Sequence, residues 1–164
     1  MTDVARKQRN QQRLEECFPA FAGKVASVIS DLEGQGLRPR IQDAHRTIAD
    51  QLKAFNNGFS RVKFGFHNVT AADGTPEALA VDLLDDSHPL NPPREYLIRL
   101  AAAGQAEGLQ TGIFFGLPAV LRAGLENAVT TLDFNPAVKI GFDPTHLEVA
   151  NITIAEAKAG KRPR

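Results

Sequence analysis

One cysteine, one methionine, one tyrosine and no tryptophan stand among the 164 residues. The single thiol, Cys17, excludes an intramolecular disulfide and any cysteine-built zinc knuckle. In an otherwise helix-permissive stretch it reads as a small packing residue. An excess of either charge is lacking too, since 19 Lys and Arg against 19 Asp and Glu leave a formal net charge of +0. No overall field therefore points to nucleic acid or to an anionic membrane. No run approaches the roughly 20 apolar residues that span a bilayer. The opening MTDVARKQRNQQRLEE has no apolar stretch of signal-peptide type. The sequence thus predicts a protein made in the cytoplasm, with no nucleic-acid or membrane partner. Any action elsewhere would need a separate means of release.

What is present is an ordinary globular balance, 43% hydrophobic and 23% charged. It argues against disorder and suits one compact domain over residues 1–164, with a monomer expected. Residues 4 to 16 are polar and helix-permissive. FPAFAGKVASVISDLEGQGLRP carries Phe21, Val25, Val28, Ile29 and Leu32 on one helical face, between Pro19 and Gly34/Gly36. RPRIQDAHR reads as a strand. TIADQLKAFNNG reads as a helix capped by Thr47, with Ile48, Leu52 and Phe55 on one face. The stretch from Val69 to Pro76 has loop composition, and EALAVDLLD is strand-like. NPPREYLIRLAAAGQAEG is a helix closed by Gly108, LQTGIFFG a short strand or turn, and Pro118 opens another helix. PTHLEVANITI alternates as a final strand, and Lys161-Arg162-Pro163-Arg164 reads as a solvated tail. Strands and helices mix without a regular βαβ repeat, which predicts an α+β fold of helices on one small sheet.

Asp82 raises the chemical question, because it stands inside the apolar run Leu79-Ala80-Val81-Asp82-Leu83-Leu84. An unpaired buried charge costs several kcal/mol, so a carboxylate there needs a cation, backbone donors or a metal. Of the four histidines, His88 lies in the loop DDSHPLNPP and reads as a surface residue. His45 and Arg46 adjoin at a strand end and point to opposite faces, and Arg46 offers a site a permanent charge on a planar fork. His146 follows Asp143 by three residues and shares a strand face with Glu148, a pair that taken alone is structural. Together, His67, Asp82 and His146 make a two-histidine, one-carboxylate set, a zinc complement with an open fourth position. Asp143 is then a free carboxylate beside it. H-E-x-x-H, G-x-S-x-G and a phosphate-cradling glycine loop are absent.

FGFHN with LAVDL, followed by DPTHLE, resembles the zinc D-alanyl-D-alanine carboxypeptidase and L-alanyl-D-glutamate endopeptidase family (VanY-like), over residues 18 to 150 or so. That family carries S-x-H-x-x-G-x-A-x-D and a later acid-x-x-His. The resemblance implies zinc held by His67, Asp82 and His146, with Asp143 as catalytic base. AHRTIADQLKAF matches the family's arginine-led helix, implying that Arg46 contacts substrate or oxyanion. It also implies a hedgehog-like, mainly antiparallel sheet, and a peptidoglycan stem peptide as substrate and partner. Gly65 replaces the motif serine, and fifteen residues separate His67 from Asp82 against seven in the motif, so VTAADGTPE reads as a loop insertion. A phage- or prophage-type lysin is the expected setting. The other readings are a zinc-binding module of this fold without chemistry, and a phage structural protein in which these residues hold a loop.

Overall fold

Phe21, Val25, Val28, Ile29 and Leu32 are all buried, as their spacing predicts, on one helix of a computed structural model that describes residues 1–164. The helices are α1 (Asp3–Leu14), α2 (Pro19–Gly34), α3 (Ile48–Asn56), α4 (Arg94–Ala106), α5 (Ala119–Thr131) and α6 (Ile154–Lys158). Between them run the strands β1 (Pro39–Asp43), β2 (Ala80–Asp85), β3 (Gln110–Thr111) and β4 (His146–Glu148). The strands form one sheet in the order β1-β2-β4-β3, with every neighbouring pair antiparallel. The fold is α+β, as expected, with helices packed on one small sheet.

Strand alternation divides the sheet into a packed face and a working face. Ile41, Val81, Leu83 and Leu147 are fully buried in the hydrophobic core with the stripe of α2 and with Leu97, Ile98 and Leu100 of α4. Tyr96, the lone tyrosine, is also fully buried, and its hydroxyl donates to the Leu83 carbonyl at 2.9 Å. That bond satisfies the polar tip of an otherwise apolar anchor and ties α4 to β2. Cys17 is buried as a packing residue, and burial pushes its thiol up to about 12, which leaves it inert at neutral pH.

Three expectations are corrected by tertiary packing. Two of the three apolar residues on the α3 stripe face outward: Ile48 is 57% and Leu52 38% exposed, while Phe55 is half-buried and Gln51 is buried. No element covers the outer side of this helix, and Gln51 turns inward because three polar partners await it there. The strand read in PTHLEVANITI stops at Glu148; Thr153 instead begins α6 through a capping box, its hydroxyl accepting from Glu156 N while Glu156 accepts from Thr153 N. The basic tail is solvated only in part, for Lys161 and Arg164 are exposed while Arg162 is tied down. Arg162 pairs with Glu77 at 2.6 Å and donates to the carbonyls of Thr70 (2.7 Å) and Ala157 (2.8 Å), pinning the inserted loop.

The polar N-terminal stretch also has a structural use. Asn10 of α1 accepts from Ile41 N at 2.8 Å and donates to the Pro39 carbonyl at 3.0 Å. Arg6 reaches the same Pro39 carbonyl, and Arg9 takes those of Ile41 and Gln42. The free edge of β1 is thereby closed to pairing with another chain.

Candidate active site

Register places two of the expected ligands side by side. Asp82 of β2 pairs directly with His146 of β4, so both side chains leave the sheet on the face opposite the core. His67 comes from a 3-10 turn, Phe66–Asn68, that lies against the segment after β1. Arg46 N donates to the His67 carbonyl at 2.8 Å, and the Asn68 amide donates to the Arg46 carbonyl at 2.8 Å. His67 Nδ1 lies 2.6 Å from the Ala44 carbonyl. A carbonyl only accepts, so Nδ1 carries the proton and the Nε2 lone pair is left for the cleft.

His67 Nε2 is 3.6 Å from one oxygen of Asp82, and His146 Nδ1 is 3.1 Å from the other. One ligand atom from each of the three residues lies within 4.8 Å of the other two. Tetrahedral zinc with bonds of about 2.0–2.2 Å separates its ligand atoms by about 3.3–3.6 Å, so the set fits such an ion after small side-chain shifts. The outer partners fit as well. His67 is oriented by the Ala44 carbonyl, and His146 Nε2 meets Glu148 Oε2 at 2.9 Å. A metal-binding histidine commonly gives its second N–H to such a carbonyl or carboxylate.

The charges respond to this crowding. Burial disfavours charge on Asp82, but His67 and His146 beside it hold its carboxyl well below the usual range. Burial likewise opposes charge on His146, yet its hydrogen bonds to Asp82 and Glu148 prevail and raise it to about 10. In the metal-free protein a proton on His146 thus supplies the positive charge that these carboxylates require. Burial raises the carboxyl of Asp143, with Asp82 and Glu148 adding to the rise against the opposing pull of His146.

Asp143 lies in the turn that enters β4, where its carbonyl accepts from His146 N at 3.1 Å. Its carboxylate is 3.8 Å from His146 Nδ1 and 42% exposed to the cleft. Two glycines allow this turn to sit where it does. A Cβ on Gly112 would come within 2.1 Å of the Asp143 carbonyl oxygen, and one on Gly141 within 2.4 Å of the Phe115 oxygen. The segment after β3 and the turn before β4 therefore touch backbone to backbone.

Arg46 stands on the other side of Asp82, with an Nη 3.8 Å from that carboxylate. Asp43 binds its Nε and one Nη, and Gln51 Oε1 accepts from the other Nη at 2.9 Å. Gln51 is held in turn by the Ser60 hydroxyl and the Val62 carbonyl, both at 2.7 Å. His67, Asp82, His146, Asp143 and Arg46 all line one cleft of about 590 Å³. His45 faces a separate cavity beside Phe64 and Lys158, and His88 stays 60% exposed on Asp85.

Three residues of this cleft play parts that the sequence did not reveal. Gln51 was masked by the apolar stripe around it, although it sits a helical turn beyond Arg46. Glu148 was legible as a face-mate of His146 in His-Leu-Glu and as the next acid after Asp143 to consider for the base, not as the partner of His146 Nε2. Arg61 gave no local signal, since its place depends on a ring 81 residues later, Phe142.

No family model and no curated protein matches the sequence. Among solved structures, the L-Ala D-Glu endopeptidase ChiX of Serratia marcescens is similar in fold, with a TM-score of 0.53 over 92% of this chain and 90% of that chain. The two are 13% identical in sequence, so the likeness is one of fold.

Proposed function

We propose that residues 1–164 form a single zinc peptidase domain that hydrolyses an amide bond in peptidoglycan stem peptides, related to the D-Ala-D-Ala carboxypeptidase and L-Ala-D-Glu endopeptidase family. One observation carries the reading: His67, Asp82 and His146 bring their ligand atoms within 4.8 Å of one another, in the same cleft as the uncommitted carboxylate of Asp143. The fold likeness to an L-Ala D-Glu endopeptidase supports L-Ala–D-Glu as the first bond to test, ahead of D-Ala–D-Ala.

His67 Nε2, an Asp82 oxygen and His146 Nδ1 would hold the ion. Zinc so bound supplies Lewis acidity, which makes a water nucleophilic near neutral pH and polarises the scissile carbonyl. Asp143 accepts the proton of the attacking water and passes it to the leaving amine. Burial lifts its carboxyl above the ordinary carboxylate value, the direction that makes it a better proton acceptor. Arg46 binds an oxygen of the substrate. A guanidinium has five N–H donors, of which Asp43 and Gln51 engage three. Two remain, on a group held rigid by its neighbours, as electrostatic stabilisation of a developing oxyanion requires.

No helix is long and apolar enough to cross a membrane. A phage-type lysin, which reaches the wall after release from the cell where it is made, is the setting we assign. Mass spectrometry of purified peptidoglycan fragments after incubation with the zinc-loaded protein tests the reading. New termini at alanine and glutamate, or loss of a terminal D-alanine, are the expected products. Intact stem peptides with a fully loaded site would overturn it and leave a binding module.

A further inference from the structure

We propose that Arg61 is a subsite for a second carboxylate of the peptide substrate, set a few residues from the bond that is cut. The inference rests on the peptidase reading above and adds a determinant of which wall peptide is taken. Arg61 lines the same cleft as the proposed ligands, and its guanidinium carbon lies 3.7 Å from the centroid of the Phe142 ring. It makes no ion pair and no side-chain hydrogen bond within the protein, whereas the other arginine of the cleft, Arg46, is committed to Asp43 and Gln51. A guanidinium stacked on an aromatic face is held in orientation while its in-plane donors stay free. Such a fork matches the two oxygens of a carboxylate.

The surroundings say where that carboxylate would lie. Aromatic rings lead from the centre to the rim: His146 to Phe115 is 5.7 Å between centroids, Phe115 to Phe142 is 5.9 Å, and Arg61 covers Phe142. An extended peptide advances about 3.3–3.6 Å per residue, so this wall runs the length of a few residues. At its inner end stand three carboxylates, Asp82, Asp143 and Glu148; at its outer end stands an unpaired cation. A peptide with a negative group beyond its cleaved bond is drawn into that orientation, and one with a positive group there is not. Stem peptides differ in this respect, since their third residue is either a diamino dicarboxylic acid, with an additional carboxylate, or lysine, without one.

The test uses two synthetic peptides, L-Ala-γ-D-Glu-X-D-Ala-D-Ala, with diaminopimelic acid or lysine at X, so that both candidate bonds are present. KM and kcat are measured for the zinc-loaded wild type, Arg61→Gln and Arg61→Lys, with metal content and melting temperature checked for each. The wild type should show a KM lower for the dicarboxylic peptide by roughly two- to fivefold, the scale of a partly exposed ion pair. That preference should shrink as salt is raised, vanish in Arg61→Gln, and survive only in part in Arg61→Lys. Equal KM values in the wild type, or a preference that persists in Arg61→Gln, would overturn the subsite. If the loaded wild type cleaves neither peptide, the peptidase reading fails on its own, and calorimetric titration of the same peptides decides the subsite. Tighter binding of the dicarboxylic peptide to wild type than to Arg61→Gln then upholds it, and equal binding refutes it.

Discussion

Replacing Glu148 should loosen the metal without touching a ligand. Its Oε2 lies 2.9 Å from His146 Nε2, and its side chain is 17% exposed, so solvent screens the pair only modestly. A hydrogen bond to a charged group contributes about 1.5–3 kcal/mol, against about 0.5–1.5 for a neutral pair. Glu148→Gln keeps an acceptor and loses the charge. The difference, about 1–1.5 kcal/mol, corresponds to roughly a tenfold loss of zinc affinity. Glu148→Ala leaves the imidazole N–H without its partner at a cost of about 1–3 kcal/mol, and so should lose up to about a hundredfold. The range agrees with the 10- to 100-fold that loss of an outer partner typically costs a metal-bound histidine. Competition against a chromophoric chelator measures the affinity, and the absorption spectrum of the cobalt-substituted protein reports the ligand field. Zinc affinity equal to wild type in both variants would refute the reasoning, because Glu148 would then be a neighbour of His146 and not its orienting partner.

Asp143→Asn should retain the metal and the fold while turnover falls by roughly 10²–10⁴-fold; His146→Ala should lose the metal itself, and elemental analysis separates the two. In metal-free protein His146 is raised from 6.5 to about 10, so its stabilisation is complete below about pH 6.5 and fades as the pH climbs toward 10. Asp82, lowered from 3.8, stabilises above that value and ceases to do so as the pH falls through its folded-state value. Melting temperatures across pH should therefore decline on the alkaline side, and added zinc should abolish that decline, since Nδ1 must lose its proton to bind the ion. A flat alkaline limb in the metal-free protein would contradict this. Gly112→Ala puts a methyl within 2.1 Å of the Asp143 carbonyl oxygen. It should destabilise by about 1–3 kcal/mol in denaturant titrations and lower turnover through a displaced Asp143.

Local physics was readable along the chain. The α2 stripe needs only helical spacing, Thr47 and Pro118 mark helix starts by their own chemistry, and Gly108 closes α4 with a φ of 70°. Asp82 announced itself as a carboxylate in an apolar run, and the order His, Asp, acid, His was enough to name the residues that the fold gathers. What the order alone does not contain is contact. Asp82 and His146 are 64 residues apart and meet through the register of β2 on β4. His67 is aimed by the Ala44 carbonyl, Gln51 is turned inward by Arg46, Ser60 and Val62, and Arg162 is tied to a loop 92 residues before it. Periodicity and capping act between near neighbours and are written in adjacent letters. Register, burial of a polar face and the pairing of distant charges arise only when the elements pack, because the partner that makes each arrangement favourable lies elsewhere in the chain.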